Sequence, residues 1–82
     1  MDVLKDIHDF TLAEFASERP ALSVDENLLE QSIIDSMGFL KLVAFLEEQF
    51  GIRVVDDDLV PENFSTLTAI RTFVERKMSS QH

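Results

Sequence analysis

Asp35 and Ser36 stand between an aliphatic pair, Ile33 and Ile34, and a long amphipathic stretch that ends at Gly51. A serine at the start of a helix lies beside unpaired backbone N–H groups and the positive end of the helix dipole. An exposed phosphate ester there is stabilised by ~0.3–1 kcal/mol. Ser36 is therefore a candidate for covalent attachment of a phosphate-linked group by another enzyme. Asp35 is a candidate helix cap that also helps to hold a metal-bound phosphate donor. Helix capping alone also explains an Asp-Ser pair.

The helix that follows Ser36 carries more apolar surface than one core contact requires. At about 100° per residue, one apolar stripe is predicted to face the core: Phe39, Leu42, Val43, Leu46 and Phe50. A smaller strip lies on an adjacent side beside charged residues: Met37, Leu40 and Ala44, with Lys41, Glu47 and Glu48. Deep burial and a protein partner both account for a second strip, and the charged neighbours favour the partner. Phe45 fits neither stripe.

The composition is that of one small folded domain. The 82 residues are 45 % hydrophobic and include seven Phe, which predicts a single domain over residues 1–82 with an ordered core from about 2 to 78. The absence of Cys excludes a disulfide framework and a thiolate metal site. The net charge is −9, and residues 25–62 carry ten acidic side chains against two basic ones. Such an acidic belt around Ser36 disfavours nucleic acid and favours basic protein surfaces, although solubility alone also explains it.

The sequence predicts a cytoplasmic monomer without a membrane span. Its longest apolar run is far shorter than the ~20 residues that a spanning helix needs. The chain begins MDVLKD, and this acidic start is unlike a signal peptide.

Hydrophobic periodicity and turn residues predict an all-α fold. The first helix is expected over about 2–17, the second over 36–50, a short one over 61–64 and the last from Ser65 or Thr66 to about 78. A long loop over 21–34, with one helical turn near 26–29, connects the first two. The result is a four-helix bundle with three longer helices, one short helix and a long first loop.

Catalytic chemistry and metal binding have little support in the sequence. His8 and His82 are the only histidines; His8 is expected at the surface and His82 at a frayed end. Ser36 lacks the glycine-flanked turn of a hydrolase nucleophile. The run Asp56–Asp58 does not fit a calcium loop, because Pro61 stands where such a loop requires glycine.

Two stretches, IIDSMGFLKLVAFLEEQFGI and VPENFSTLTAI, together resemble the acyl carrier and peptidyl carrier protein family over nearly the whole chain. The resemblance implies a four-helix bundle whose motif serine, here Ser36, receives 4′-phosphopantetheine from coenzyme A through a Mg²⁺-dependent phosphopantetheinyl transferase. The terminal thiol of this arm then carries an acyl or aminoacyl thioester. On this interpretation the chain is a phosphoprotein and a non-catalytic carrier. Its partners are a loading ligase and a downstream synthase, oxidase or transferase.

The resemblance also assigns roles on the second helix. Met37, Leu40 and Ala44 match the family's partner-contact strip, and Glu47 and Glu48 match its acidic contacts. Gly38 and Lys41 depart from many fatty-acid carriers, which have acidic residues in this region. Met37-Gly38 is more similar to carriers of D-alanine or other amino acids, so an aminoacyl or specialised acyl cargo on a free-standing carrier is favoured. The alternative is an unmodified helical interaction module that binds a basic protein.

Overall fold

A computed structural model describes residues 2–80, and all of the regular structure in that range is helical. Met1, Gln81 and His82 lie outside it, so the expectations for His82 and for fraying there are not addressed. The elements are α1 (Val3–Phe15), α2 (Ser36–Phe50), a 3-10 turn (Asp56–Asp58), α3 (Pro61–Phe64) and α4 (Leu67–Ser80). This order confirms the predicted all-α fold with three longer helices and one short helix.

Side chains and chain geometry fix the helix ends. The carboxylate of Asp2 accepts a hydrogen bond from the Lys5 amide at 3.0 Å and caps α1. The hydroxyl of Thr66 accepts one from the Ala69 amide at 3.0 Å at the start of α4. The prediction that α1 continues to Ser17 was wrong, because the chain leaves helical geometry at Ala16, whose side chain turns into the core.

The core lies between α1, α2 and α4, with α3 packed on α4. On the last helix, Leu67, Ile70, Phe73 and Val74 are buried and Met78 is partly buried. On α2, Leu42, Leu46 and Phe50 are buried, whereas Phe39 and Val43 are only partly covered at the edge of this face.

Phe45, which the sequence left unplaced, joins α1 to α2. Its ring stacks on that of Phe10 with centroids 4.0 Å apart and planes 11° apart. The rings of Phe10 and Phe15 are nearly perpendicular, as are those of Phe45 and Phe50, with centroids 6.1 Å apart in each pair. This aromatic contact sets the spacing of the two helices along the side where they approach each other.

The first loop, residues 16–35, is held against the bundle by its backbone. Leu28 is buried, and its amide donates to the carbonyl of Ser65 at 2.7 Å. The Thr68 amide donates to the carbonyl of Val24 at 3.1 Å. The loop is therefore a packed segment that delivers the chain to the start of α2 along a fixed path.

A helical turn is observed from Asn27 to Gln31, which overlaps the turn predicted near 26–29. In this turn the Gln31 amide donates to the carbonyl of Asn27. The side-chain oxygen of Asn27 accepts from the amides of Leu29 and Glu30. Asn favours such local bonding over a helix, and Ser32 then adopts a left-handed φ of 55°.

Two ion pairs hold the connecting segments. Arg19 forms a bidentate ion pair with Glu26 in the first loop, with N···O distances of 2.7 and 3.0 Å. The hydrogen bonds from Arg19 are the main cause that lowers the pKa of Glu26. Lys77 on α4 contacts Asp58 at 2.7 Å, and both side chains are 18 % exposed. The hydrogen bond from Lys77 is the main cause that lowers the pKa of Asp58. Among residues 2–80, no helix has the length and apolar character to cross a membrane.

Candidate functional site

At the start of α2, the helix cap and the candidate nucleophile are two different residues. Asp35 has an extended backbone, and its Oδ1 accepts a hydrogen bond from the Gly38 amide at 2.7 Å. Asp35 is therefore the cap, as expected. Ser36 is the first helical residue and is exposed, and none of the residues from 2 to 80 makes a hydrogen bond to its hydroxyl. Capping does not occupy Ser36, so its oxygen is open to reaction.

Gly38 allows the end of α1 to lie close to this start. A Cβ placed on Gly38 would stand 2.7 Å from Cε1 of Phe15 and 3.1 Å from Oδ1 of Asp35. The first distance is shorter than carbon atoms tolerate, and the second would crowd the capping oxygen. Gly38 thus permits the close approach of the Phe15 ring and the intact Asp35 cap at the same time, which fixes where Ser36 emerges.

An apolar groove of about 470 Å³ begins at Ser36. It runs between the first loop, the start of α2 and α3, and its lining is mostly apolar: Leu29, Ile34, Asp35, Ser36, Phe39, Leu59, Val60, Pro61 and Phe64. Phe39 and Phe64 meet edge to face at its base, with centroids 4.9 Å apart. A flexible group attached to Ser36 thus has apolar surface beside its point of attachment.

The predicted second strip of α2 faces water. Met37 is 76 % exposed and Leu40 is 67 % exposed, which is unusual for large apolar side chains in a small bundle. Ala44, Lys41 and Glu48 are also exposed. Burial in the core therefore does not account for this strip.

Glu47 differs from its neighbours. It is half-buried, and its Oε2 accepts a hydrogen bond from the Val54 amide at 2.9 Å. The carboxylate thereby holds the segment that follows α2. The partner contact expected of Glu47 stays a prediction. It requires one carboxylate both to accept the Val54 amide and to contact a partner.

His8, the histidine among residues 2–80, forms no hydrogen bond to Ser36. The prediction that His8 is a surface residue was wrong: it is half-buried, and its Nε2 accepts a hydrogen bond from the Leu22 amide at 3.1 Å. Because Leu22 lies in the first loop, this bond ties α1 to that loop, and the His8 Nδ1 lies 3.0 Å from Oδ1 of Asp9 within α1. Residues 2–80 contain no group of three or more histidine, aspartate and glutamate side chains placed to hold a metal ion.

A helical bundle with an exposed serine at a capped helix start, beside an apolar groove, is suited to carrying a group rather than transforming one. Residues 11–74 match the family model for the phosphopantetheine attachment site. The chain belongs to this family, whose members are non-catalytic carriers with covalently bound 4′-phosphopantetheine. The predicted family, cofactor class and lack of catalysis are therefore confirmed.

Curated relatives agree with this assignment. The chain is 27 % identical to an acyl carrier protein of Campylobacter hominis over 92 % of each chain. It is 33 % identical to D-alanyl carrier protein 1 of Lactiplantibacillus plantarum, over 78 % of this chain and 80 % of the relative. It is 25 % identical to a D-alanyl carrier protein of Abiotrophia defectiva over 70 % and 72 %, respectively. These similarities support a carrier that interacts with a phosphopantetheinyl transferase and pathway enzymes.

The sequence reasoning did not identify the residues that complete the apolar groove. Leu59 is the clearest example. It lines the groove and is 41 % exposed, and it directly follows a run of three aspartates that indicates a solvated turn. The only signal in the sequence was an isolated leucine between three aspartates and Val60-Pro61. Its relation to Ser36 depends on how the long segment after α2 folds back, which no local pattern reveals.

Proposed function

We propose that the chain is a free-standing acyl or aminoacyl carrier protein, with 4′-phosphopantetheine attached to Ser36. The observation that carries this proposal is the exposed Ser36 at the first position of α2, with the capping role taken by Asp35. The first-turn N–H groups and the helix dipole favour the phosphodiester that would form there.

The attached arm would supply the reactive group that the chain lacks. The sequence contains no cysteine, and the thiol of the arm would hold the cargo as a thioester. The carrier would thus act as a phosphoprotein substrate that successive enzymes recognise. The groove at Ser36 would provide apolar contacts for the arm and for a compact cargo, with the contact between Phe39 and Phe64 at its base.

The cargo we favour is an aminoacyl or specialised acyl group, as in nonribosomal peptide, polyketide or related fatty-acid-like biosynthesis. Gly38 and Lys41 support this choice. Many fatty-acid carriers have acidic residues in this region, whereas this chain has a small residue and a cation. Similarity to two D-alanyl carrier proteins supports it as well. A partner optimised for an all-acidic surface would meet Lys41 as a repulsive element.

The partner surface we propose is the exposed strip of α2. Met37 and Leu40 provide apolar anchors, and Ala44 leaves space for a partner side chain. Lys41 and Glu48 set the charge pattern, and Glu47 contributes at the edge. A transferase, a loading ligase and a downstream synthase, oxidase or transferase would use this strip in turn, with the carrier acting as a cytoplasmic monomer.

Incubation with coenzyme A, Mg²⁺ and a broad-specificity phosphopantetheinyl transferase tests the attachment site. Intact-mass spectrometry should show a gain of one phosphopantetheine for the wild-type chain and no gain for Ser36→Ala. Ser32→Gly is a matched control, because it removes a nearby serine and glycine accepts the left-handed φ at this position. It should be modified at the wild-type rate.

The same experiment separates the carrier from the unmodified interaction module. Failure of the folded wild-type chain to gain mass with several transferases would favour the unmodified module. After modification, loading with a panel of amino-acid and carboxylic-acid adenylating enzymes defines the cargo. Attachment of long fatty acids in preference to amino acids or compact acids would contradict the proposed cargo class.

A further inference from the structure

The residues that line the groove at Ser36 are held in two different ways. In the first loop, Ile34 is buried and Leu29 packs against the core. In the segment that joins α2 to α3, Leu59 and Val60 also line the groove, and we call these two residues its outer wall. Leu59 is 41 % exposed and lies outside the core formed by residues 2–80, so core packing contributes little to its position.

Polar contacts that converge on Asp58 hold the outer wall instead. The Oδ2 atom of Asp58 lies 2.7 Å from Nζ of Lys77 and accepts a hydrogen bond from the Val55 amide at 3.0 Å. The backbone carbonyl of Asp58 accepts another from Nδ2 of Asn63 at 2.8 Å. Asp58 directly precedes Leu59 in the chain. One residue therefore ties the 3-10 turn to α3 and α4 at the point where the outer wall begins.

The contact between Asp58 and Lys77 is stronger than an ordinary surface ion pair. Both side chains are 18 % exposed, so water and salt screen their attraction less than that of an exposed pair. Hydrogen bonds between charged groups are also shorter and stronger than those between neutral groups. The Lys77 ammonium lies 5.9 Å from the centroid of the buried Phe73 ring, so the cation is anchored beside the core.

We propose that the Asp58–Lys77 ion pair positions the outer wall and thereby determines how firmly the groove holds a group attached to Ser36. Neither residue of the pair lines the groove, so both act through Leu59. With the pair intact, Leu59 covers part of the attached group and excludes water from it. Without the pair, the segment before α3 loses its tie to α4, and Leu59 no longer covers the group. The inference rests on the proposed attachment at Ser36 and adds a positioning role for two residues outside the groove.

A chemically attached apolar chain tests this role without a transferase. The sequence has no cysteine, so Ser36→Cys introduces a single thiol, which N-ethyl or N-hexyl iodoacetamide alkylates with loss of iodide. The hexyl form should unfold at least ~4 °C above the ethyl form, because the longer chain buries more apolar surface in the groove. Nuclear Overhauser contacts measured by NMR should connect the hexyl chain to the side chains of Leu59 and Phe39.

Two variants in the Ser36→Cys background remove the ion pair. Lys77→Met removes the ammonium group and keeps a long side chain. Asp58→Asn removes the negative charge, and its side-chain oxygen can still accept from the Val55 amide. In both variants the difference in unfolding temperature between the hexyl and ethyl forms should fall to roughly half or less, because Leu59 no longer covers the chain. The NMR contacts to Leu59 should be lost, whereas those to Phe39 should remain.

Lys5→Met is the matched control. Lys5 pairs with Asp9 at the same N···O distance, 2.7 Å, but it lies on α1 outside the groove. This variant should leave the difference between the hexyl and ethyl forms unchanged. Lys77→Arg should retain most of the difference, since a guanidinium group keeps the charge and donates to a carboxylate. A purely structural role of Lys77 would lower the unfolding temperature of both forms equally and would not change their difference.

The same measurements can overturn the proposal. Equal unfolding temperatures of the hexyl and ethyl forms of Ser36→Cys would show that the groove does not hold an attached group. An unchanged difference with unchanged Leu59 contacts in Lys77→Met and Asp58→Asn would show that the pair does not position the outer wall. An equal loss in Lys5→Met, or no retention in Lys77→Arg, would show that the charge of this pair is not the cause. No step uses a transferase, so these failures are distinct from a failure to modify Ser36.

Discussion

Replacement of Asp35 by alanine tests how the start of α2 is held. The structure shows one short hydrogen bond from the Gly38 amide to Oδ1 of Asp35, at 2.7 Å. Loss of such a cap costs about 0.5–2 kcal/mol, and loss of a negative charge at the N-terminus of a helix adds about 0.3–1 kcal/mol. We therefore expect Asp35→Ala to lower the free energy of unfolding by about 1–3 kcal/mol. The midpoint of thermal unfolding should fall by about 4–8 °C for each kcal/mol in a domain of this size.

The experiment needs a background in which Ser36 does not replace the lost cap, since serine is itself a good capping residue. Urea unfolding is therefore measured for Ser36→Ala alone and combined with Asp35→Ala or Asp35→Asn. Asparagine caps almost as well as aspartate, so the asparagine variant should keep most of the stability. Equal stability of the alanine variant and its parent would refute the inference that Asp35 holds the helix start. With Ser36 intact, Asp35→Asn should slow modification by the transferase if Asp35 also helps to hold the metal-bound donor.

Two further predictions concern groups away from Ser36. Thr11 is fully buried and its hydroxyl has no hydrogen-bond partner among residues 2–80, so Thr11→Val should raise the free energy of unfolding in urea by about 1–2 kcal/mol. As a control, Thr72→Val at an exposed position should change the free energy of unfolding by less than about 0.5 kcal/mol. Destabilisation by Thr11→Val would show that the buried Thr11 hydroxyl has a hydrogen-bond partner. Lys77 lowers the pKa of Asp58, so this pair stabilises the fold above the ordinary aspartate pKa and loses its effect as pH falls through the lowered value. The stability advantage of wild type over Asp58→Asn should therefore be present at neutral pH and vanish in strong acid, and a pH-independent difference would contradict this origin.

Local signals in the sequence were sufficient to predict where α2 begins and ends. Its predicted limits, Ser36 and Phe50, coincide with the observed ones. Asp35 provides the cap at one end, and Gly51 adopts the left-handed conformation with a φ of 66° at the other. Both features depend on one or two residues and their own backbone, so they are readable without knowledge of the fold.

Tertiary contacts decided the features that the sequence did not reveal. The end of α1 depends on burial of Ala16, and the place of Phe45 depends on Phe10 of another helix. Glu47 had the charge and position of a surface residue, yet its carboxylate accepts from the Val54 amide. Each of these contacts joins separate segments of the chain, and periodicity within one helix does not encode it.

The position of the modified serine tests the central claim most directly. The wild-type chain is treated with coenzyme A and a phosphopantetheinyl transferase, digested, and analysed by fragmentation mass spectrometry, which distinguishes Ser23, Ser32 and Ser36 within one region of the sequence. We predict that the whole phosphopantetheine mass increment is found on Ser36. An increment on Ser32 or Ser23, or a chain that stays unmodified although it is folded, would contradict the account.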